Sequence, residues 1–233
     1  RVLWLKNLKL KGTIDGTGTV KGPMKVPAKL NLTLKANSNR LTYADMFVLE
    51  PVEADPFWRL YPHFWLPADG LQAKADKDRV PYVVWRDAGW LETTEGRAIN
   101  KLAIARKLAE IGEQFDLQDV AYDRWRIEDF KAQLDQEGIE LTLSSFGQGF
   151  KDMSPALDEF ERLLISKAVR HNANPVMTMC VANAVVVKDP AGNRKVSKEK
   201  ATGRVDGVIA AIMAAGRAVG GNGTDEKSFW ETD

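Results

Sequence analysis

The sequence predicts an α/β protein with a mixed central sheet and helices packed on both faces. Three observations predict this fold class. The chain has 233 residues, 44% of them hydrophobic, which is enough to bury one large core. Its first half is rich in segments that alternate apolar and polar residues, as half-buried strands do. Its second half alternates strand patterns with helical spacing, and this order favours a sheet covered by helices.

The first half of the chain is predicted to supply the strand-rich part of the sheet. Residues 1–40 alternate apolar residues with lysine or other polar residues, and glycine and proline separate the runs. Residues 41–51 and 57–67 are predicted as two further strands, the second of them unusually aromatic. Residues 82–85, with the sequence YVVW, are predicted as a short strand because β-branched and aromatic residues favour strands.

Helices and strands alternate after this point. Residues 96–115 have apolar side chains at helical spacing, and Thr93 or Thr94 is predicted to cap this helix. The sequence then predicts a strand at 117–123, a helix at 124–138 closed by Gly138, a strand at 139–146, and a helix at 154–171 with Pro155 in its first turn.

The C-terminal part is predicted as a hairpin followed by one long helix. Strands are predicted at 176–189 and 194–199, and the turn DPAGN joins them. An alanine-rich helix is predicted from Asp206 to about Val219. Cys180 falls in the first of these strands with no base in view, so it is interpreted as part of the core.

Composition excludes several functional classes. The net charge is +1, so any contact with DNA has to come from a local patch of cations. One cysteine excludes a disulfide framework, and two histidines argue against a histidine-based zinc site. The glycine-rich segment near the N-terminus lacks a following G-K-[ST], so no ATP site is predicted. No apolar run approaches the roughly 20 residues that span a bilayer, so no membrane contact is predicted.

Two aspartates are candidate metal ligands. Asp123 ends a predicted strand just before a helix, and Asp206 opens the final helix, which are positions where functional groups gather in α/β sheets. Carboxylates from separate elements can hold Mg²⁺ or Mn²⁺, and two such ions about 4 Å apart can activate water for phosphodiester hydrolysis. Aspartate is also a preferred helix cap, so each residue taken singly is open to a purely structural interpretation.

A cluster of cations precedes Asp206 along the chain. Cations beside a metal-binding acid could hold a nucleic-acid backbone while it is cut. A lysine-rich hairpin can equally be a well-solvated sheet edge. The candidate phosphate-binding residues are Lys188, Arg194, Lys195, Lys198, Lys200 and Arg204.

Six stretches of the chain follow one another in a recognisable order. They are HFWLPADGL, VPYVVWRDAGWLETTEG, YDRW, FGQGFKDMSPALDEFERLL, RHNANPVMTMCVANAVVV and KEKATGRVDGVIAAIMAAGRA. Together they cover roughly residues 41–220 and resemble the C-terminal nuclease domain of the large terminase subunit of tailed bacteriophages. The resemblance is specific because it rests on six stretches in the expected order rather than on one motif.

The resemblance implies a ribonuclease H-like (resolvase-like) fold and an endonuclease site with two Mg²⁺ or Mn²⁺ ions. It implies double-stranded DNA as substrate, and as partners the N-terminal ATPase domain of the same subunit, the portal protein and the small terminase subunit. The expected place of action is the host cytoplasm, at the portal of the procapsid. The expected organisation is a strand-rich segment at 1–40, the nuclease domain at 41–220 and a flexible tail at 221–233.

The resemblance also assigns roles to individual residues. Asp123 matches an active-site acid of the family, and Asp206 matches its last metal-binding acid. The family carries another acid on its first strand, and here Lys35 stands near that position. Asp15 and Asp45 are the candidates for the missing acid.

A cation in place of an acid opposes metal binding. Three interpretations therefore stay open at this point: a metal-dependent DNA endonuclease, a catalytically impaired module that grips DNA or docks to the portal or small subunit, and an α/β core whose aspartates are only helix caps. Arg40, near a second expected acid, favours the impaired module in the same way as Lys35.

Overall fold

The computed structural model describes residues 30–36, 44–52, 55–115, 117–123 and 127–220, with side chains from residue 57 to residue 218 of these ranges. The strands are β1 (Leu30–Ala36), β2 (Ala44–Val52), β3 (Asp55–Pro67), β4 (Glu92–Thr94), β5 (Leu117–Asp123), β6 (Leu143–Phe146), β7 (Val169–His171), β8 (Val186–Lys188) and β9 (Arg194–Val196). The helices are α1 (Leu71–Asp78), α2 (Tyr82–Asp87), α3 (Lys101–Gln114), α4 (Glu128–Gln136), α5 (Phe150–Ile165), α6 (Pro175–Ala182) and α7 (Asp206–Gly220).

A mixed sheet forms the centre of the fold. Its strand order is β4-β3-β2-β1-β5-β6, and β7 also pairs with β3. β2 is antiparallel to both β1 and β3, whereas the β1–β5, β5–β6, β3–β4 and β3–β7 pairs are parallel. The mixed sheet and its flanking helices confirm the predicted fold class. β1 falls within the predicted N-terminal segment 1–40 and lies between β2 and β5 in this sheet.

The two faces of the sheet are covered by different helices. On one face, Leu60, Phe64 and Leu66 of β3 join a cluster with residues of α1, α2, α5, α6 and α7. On the other face, Trp65 of β3 and Val120 of β5 pack with residues of α3 and α4. Alternate residues of one strand thus enter opposite cores, as the two-residue period of a strand requires.

Helix α7 lies almost entirely inside the first core. Every residue from Val208 to Ala215 is 4% exposed or less. Small residues let the helix approach its neighbours closely: a Cβ atom added at Gly216 would lie 2.6 Å from the Cβ of Ala156, and one at Gly207 would lie 3.0 Å from the Phe64 ring. The predicted helix is confirmed, and its lack of distinctive side chains is explained by this burial.

Two predicted strands are helices in the structure. Residues 82–85 belong to α2, in which Tyr82 is fully buried, Val84 is 63% exposed, and Trp85 again packs on the core. That spacing is helical, so tertiary packing has overridden strand propensity. Residues 176–182 belong to α6, and the strand β8 begins only at Val186. Asn174 caps α6 and Pro175 opens it, a start signal that the apolar run obscured.

Two predicted helix starts also differ from the structure. Asn100, not Thr93 or Thr94, caps α3: its side-chain oxygen accepts a hydrogen bond from the Leu102 amide at 2.9 Å. Thr94 ends β4 instead, and its hydroxyl oxygen accepts a bond from the Asn100 amide at 3.0 Å. Helix α5 begins at Phe150, so Pro155 lies inside the helix rather than in its first turn.

Three remaining expectations, on the end of β5, on Gly138 and on Cys180, are confirmed. β5 ends at Asp123, Gly138 has the positive φ of 65° expected after the end of α4, and Cys180 is fully buried. Among the described residues, none of the helices is long and apolar enough to cross a bilayer. Asp15, Arg40 and the predicted tail at 221–233 lie outside the described residues.

Candidate metal centre and DNA-contacting hairpin

Asp206 is a buried acid at the point where α7 begins. It is the first residue of the helix and is 5% exposed. The ammonium nitrogen of Lys198 lies 3.6 Å from its carboxylate Oδ1. Lys198 itself is exposed, so its ammonium group contacts solvent as well as Asp206. The predicted proximity between Asp206 and the preceding cations is therefore real for Lys198.

Asp123 lies on the face of the sheet that α7 covers. Val120 and Tyr122 pack in the opposite core, with α3 and α4. Asp119 is bonded to Arg217 of α7, its carboxylate accepting from Nε at 2.6 Å. Because side chains alternate along a strand, Asp123 shares the face of Asp119. Asp123 and Asp206 thus belong to the same layer, the first at the end of β5 and the second at the start of α7.

The register of β1 and β2 brings two further positions, 35 and 45, to the layer of Asp123 and Asp206. These four positions are called the acidic row below, although position 35 is a lysine. Leu34 pairs with Tyr122, so position 35 falls at the level of Asp123 and on the α7 face. Lys35 in turn pairs with Asp45, and Asp45 pairs with Phe64 of the α7-side core. Directly opposed residues on neighbouring strands are about 5 Å apart. The sequence alone could not choose between Asp45 and Asp15, because this cross-strand register is not visible along the chain.

The described side chains alone do not form a complete metal site. Within the part of the chain whose side chains are described, no three histidine, cysteine, aspartate or glutamate residues are grouped closely enough to hold an ion. Asp123 and Asp206 contribute carboxylate oxygens, which are the ligand type that Mg²⁺ and Mn²⁺ prefer. Position 45 on β2 is the place on the same face from which a further carboxylate could come.

The cations of the hairpin differ in their availability. Arg194 of β9 is bound to α5: its NH2 group donates to Glu161 at 2.7 Å and its Nε donates to Asp158 at 3.1 Å. These two carboxylates raise the pKa of Arg194 above its usual value. Lys195 lies over the Phe150 ring, 4.7 Å from its centroid. Phosphate binding by Arg194 would therefore compete with two ion pairs.

The other hairpin and loop cations face solvent to different extents. Lys188, Lys198 and Lys200 are exposed, at the end of β8 and in the loop between β9 and α7. Arg204 is half-buried and lies 4.0 Å from the carboxylate of Asp78. Phosphate contacts by all of these residues remain a prediction, and Lys198 would give up its contact with Asp206 to make one.

Asp78, the last residue of α1, contacts the loop between β9 and α7 through Arg204. Its carboxylate accepts hydrogen bonds from Lys74 and from the Tyr82 hydroxyl, each at 3.0 Å, and faces Arg204. Burial raises the pKa of Asp78, but the bonds from Lys74 and Tyr82 and the charges of Lys74 and Arg204 outweigh it, so the pKa is lowered overall. For the Tyr82 hydroxyl, which donates to Asp78, burial and the negative charge of that carboxylate raise the pKa.

Replacing Asp78 by asparagine is expected to destabilise the fold in a pH-dependent way. A lowered pKa means that the ionised carboxylate stabilises the folded state above the ordinary value of 3.8, and that this contribution is lost as the pH falls through the lowered value. Asp78→Asn should therefore cost about 1 kcal/mol near neutral pH and progressively less below about pH 4. Urea unfolding of both proteins across this range measures the difference, and a pH-independent difference would contradict it.

The RHNANP stretch, for which the sequence suggested no role, is structural. Asn174 is 4% exposed, and its side-chain oxygen accepts from the amides of Val176 and Met177 at the start of α6. Its side-chain amide donates to the Trp90 carbonyl at 3.1 Å, which joins α6 to the loop before β4. The side chain of Asn172 accepts from the Asn174 amide. These bonds explain the asparagines without catalysis.

Comparison with known proteins agrees with this fold. The model of the family described as "Terminase large subunit, endonuclease domain" matches residues 48–222. The terminase large subunit of Enterobacteria phage HK97 is 44% identical over 206 residues, which cover 88% of this chain and 40% of that protein. Protein YmfN of Escherichia coli K12 is 28% identical over 170 residues, covering 70% of this chain and 37% of that protein. The chain thus spans about two fifths of the length of these relatives.

Solved structures show the same similarity. The crystal structure of the HK97 large terminase superposes with a TM-score of 0.76 at 44% identity, over 83% of this chain and 40% of that one. The large terminase nuclease of thermophilic phage G20c, crystallised with bound magnesium, gives a TM-score of 0.51 at 12% identity, over 81% of this chain and 80% of that one.

The sheet order, the helices on both faces and the neighbouring structures define a ribonuclease H-like fold of the terminase nuclease type. The extent of the family match and the identity to the HK97 protein go further than the fold. The chain belongs to the terminase large subunit endonuclease domain family, which confirms the resemblance found in the sequence.

Proposed function

We propose that this chain is a divalent-metal-dependent endonuclease domain that cuts double-stranded DNA, with Asp45, Asp123 and Asp206 as metal ligands. The observation that carries the proposal is the row of positions on one face of the sheet. Asp123 at the end of β5, the register partners Lys35 and Asp45, and Asp206 at the start of α7 all belong to the α7 layer. Acidic positions on three separate elements, β2, β5 and α7, thus share this layer, and carboxylate oxygens are the ligands that hard cations prefer.

The residues of this site have distinct tasks. Mg²⁺ or Mn²⁺, when bound, supplies an activated water and stabilises the leaving oxygen of the phosphodiester. Asp206 is held in a fixed position because its helix is buried, so its carboxylate needs little reorganisation on binding a cation. Asp123 closes the site from β5. Lys35 opposes metal binding by its charge, so we expect the metal affinity to be lower than that of a site with a first-strand acid.

The DNA backbone would be held beside these acids by the hairpin and the loop that follows it. Of the hairpin and loop cations, Lys198 contacts an acid of the site, with its ammonium nitrogen 3.6 Å from Oδ1 of Asp206. Lys200 and Lys188 are exposed on the same hairpin and loop. Such contacts attract phosphates and carry no base specificity, so we expect binding that depends on salt and tolerates any sequence.

The family suggests the wider setting in which this domain acts. The similarity to the HK97 terminase large subunit supports a role in packaging phage DNA and cutting its concatemer, in the host cytoplasm at the portal of the procapsid. The partners proposed on this basis are double-stranded DNA, an N-terminal ATPase domain of the same subunit, the portal protein and the small terminase subunit. The chain spans about two fifths of that relative, so these roles of the whole protein are proposed from the family and not from this chain alone.

A second candidate function follows from one specific observation. Lys35 lies in the middle of the acidic row, in register with Asp45 and level with Asp123. A cation at that point would pair with the acids and exclude a divalent ion. In this case the domain would keep its scaffold and grip DNA, or dock to other parts of the packaging machine, without cutting.

Cleavage of supercoiled plasmid separates these two functions. We expect the purified chain to nick plasmid in Mn²⁺, to lose activity with a chelator, and to lose about a hundred-fold or more with Asp123→Asn. The matched control is Asp129→Asn, which alters an exposed aspartate on α4, in the opposite layer.

The outcomes are distinguishable when DNA binding is measured beside cleavage. Nicking that requires both the metal and Asp123 supports the endonuclease. Salt-sensitive DNA binding without cleavage in Mn²⁺ or Mg²⁺ would overturn it in favour of the gripping module. Absence of both activities in a folded protein would leave neither DNA-directed function standing.

A further inference from the structure

We propose that Asn183 is a positioning residue for the metal site. It holds the segment Thr202–Arg204, which leads directly into Asp206. The inference rests on the proposed function and deepens it, since it names a residue outside the acidic row on which metal binding would depend. Asn183 lies 23 positions before Asp206 in the chain, and no motif in the sequence connects the two.

The main chain of Asn183 is fixed by helix α6. Asn183 follows the last residue of α6, and its amide donates to the Met179 carbonyl at 3.0 Å. The helix is held in turn by the core, because Val176 and Cys180 are both fully buried. The Asn183 side chain therefore projects from a rigid element.

Three hydrogen bonds join Asn183 to the segment before Asp206. Its side-chain amide donates to the Arg204 carbonyl at 3.2 Å, and its side-chain oxygen accepts from the Thr202 hydroxyl at 3.1 Å. Its main-chain carbonyl accepts from the Thr202 amide at 3.3 Å. An asparagine is needed because the two side-chain bonds require one donor and one acceptor on the same group.

Gly203 shows how closely this segment lies against Asn183. A Cβ atom at position 203 would be 2.6 Å from the Asn183 side-chain nitrogen and 3.0 Å from its Cγ. Any side chain at 203 would push the segment away or displace the asparagine. A glycine is therefore needed at position 203 because of the close contact with Asn183, and not because of a positive φ.

Helix α6 contacts the chain on both sides of Asp206. Before it, Asn183 binds residues 202 and 204; after it, Gly207 lies against Cys180, whose sulfur would be 3.1 Å from a Cβ atom at that position. The turn that presents Asp206 is thus held at two points by one helix. Loss of the Asn183 side chain would free residues 202–204 but would leave the contact between Gly207 and Cys180 in place. The Asp206 carboxylate and its distance from Lys198 should then no longer be fixed, while α7 stays packed.

The test is Mn²⁺ binding, measured by calorimetric titration of the whole 233-residue chain with the metal alone. We expect Asn183→Ala to raise the Kd for Mn²⁺ by about ten-fold, the size of effect typical when support for a ligand is removed. Cleavage by the variant should recover in part at high Mn²⁺, which a loss of folding would not allow. Asn193→Ala, which removes a side-chain bond at the hairpin tip, should leave the Kd unchanged.

Each outcome decides the inference. Equal Kd values for Asn183→Ala and the unaltered chain would overturn it and leave the metal site in place. No Mn²⁺ binding by the unaltered chain would overturn the proposed function, and this inference with it. If Asn183→Ala does not fold, Thr202→Val takes its place: it removes one bond from the exposed side, and an unchanged Kd there would also overturn the inference.

Discussion

Asp206→Asn is expected to abolish metal-dependent cleavage, with a loss of about a thousand-fold or more and no detectable Mn²⁺ binding. Asparagine discriminates between the two interpretations of Asp206. At the first residue of a helix it loses only the interaction of the charge with the helix dipole, so a residue that only stabilises the start of α7 should tolerate the change. It lacks the negative charge, so a residue that holds a cation should not. The buried position of Asp206 favours the second outcome.

The measurement combines plasmid nicking, Mn²⁺ titration and a thermal melt of the same preparation. Asp129→Asn is again the matched control, since it makes the same chemical change in the other layer. We expect the melt of Asp206→Asn to stay within a few degrees of the unaltered chain, because loss of charge near a helix start costs about 0.5 kcal/mol. If Asp206→Asn keeps both its cleavage activity and its stability, Asp206 is not a metal ligand and its role is confined to the start of α7.

The second large effect is expected from Asp45→Asn, which should lower cleavage by about a hundred-fold. The reason is its register: Asp45 pairs with Lys35, which is level with Asp123, and also with Phe64 under the start of α7. Two strand spacings of about 4.8 Å separate β2 from β5, a span that a pair of metal ions can bridge.

Asp15→Asn is the matched comparison for Asp45, because the sequence alone left both open as the missing acid. We expect cleavage by Asp15→Asn to be unchanged. The reverse result, loss with Asp15→Asn and none with Asp45→Asn, would assign the acid to the N-terminal segment and remove Asp45 from the site. Loss with neither would indicate a site built on Asp123 and Asp206 alone.

The sequence predicted those parts of the fold that carry strong local signals. The end of β5 at Asp123 and the start of α7 at Asp206 were predicted at the right residues, because an acid follows an apolar run in one case and precedes an alanine-rich helix in the other. The segments 82–85 and 176–182 were predicted wrongly, because short apolar runs fit a strand or a buried helix equally well.

The site depended more heavily on contacts between distant parts of the chain. The charge of Arg194 was visible in the sequence, but its partners Asp158 and Glu161 lie 36 and 33 positions away on α5. The place of Asp45 depends on pairing between β1, β2 and β5, which is set by the whole sheet. Asn183 carried no signal, since an asparagine after a helix has many ordinary uses.

Helix α7 has a consequence for how this domain can change over evolutionary time. Its small residues fill their space completely: Gly207 lies against Phe64 and Cys180, Gly216 lies against Ala156, and the residues between Val208 and Ala215 have almost no surface. Substitutions at these two glycines can only add volume, and added volume at Gly207 would displace the acid next to it. Sequence drift should therefore be slow along α7 although most of its side chains do no chemistry, and a homologue's α7 should vary less than its exposed hairpin.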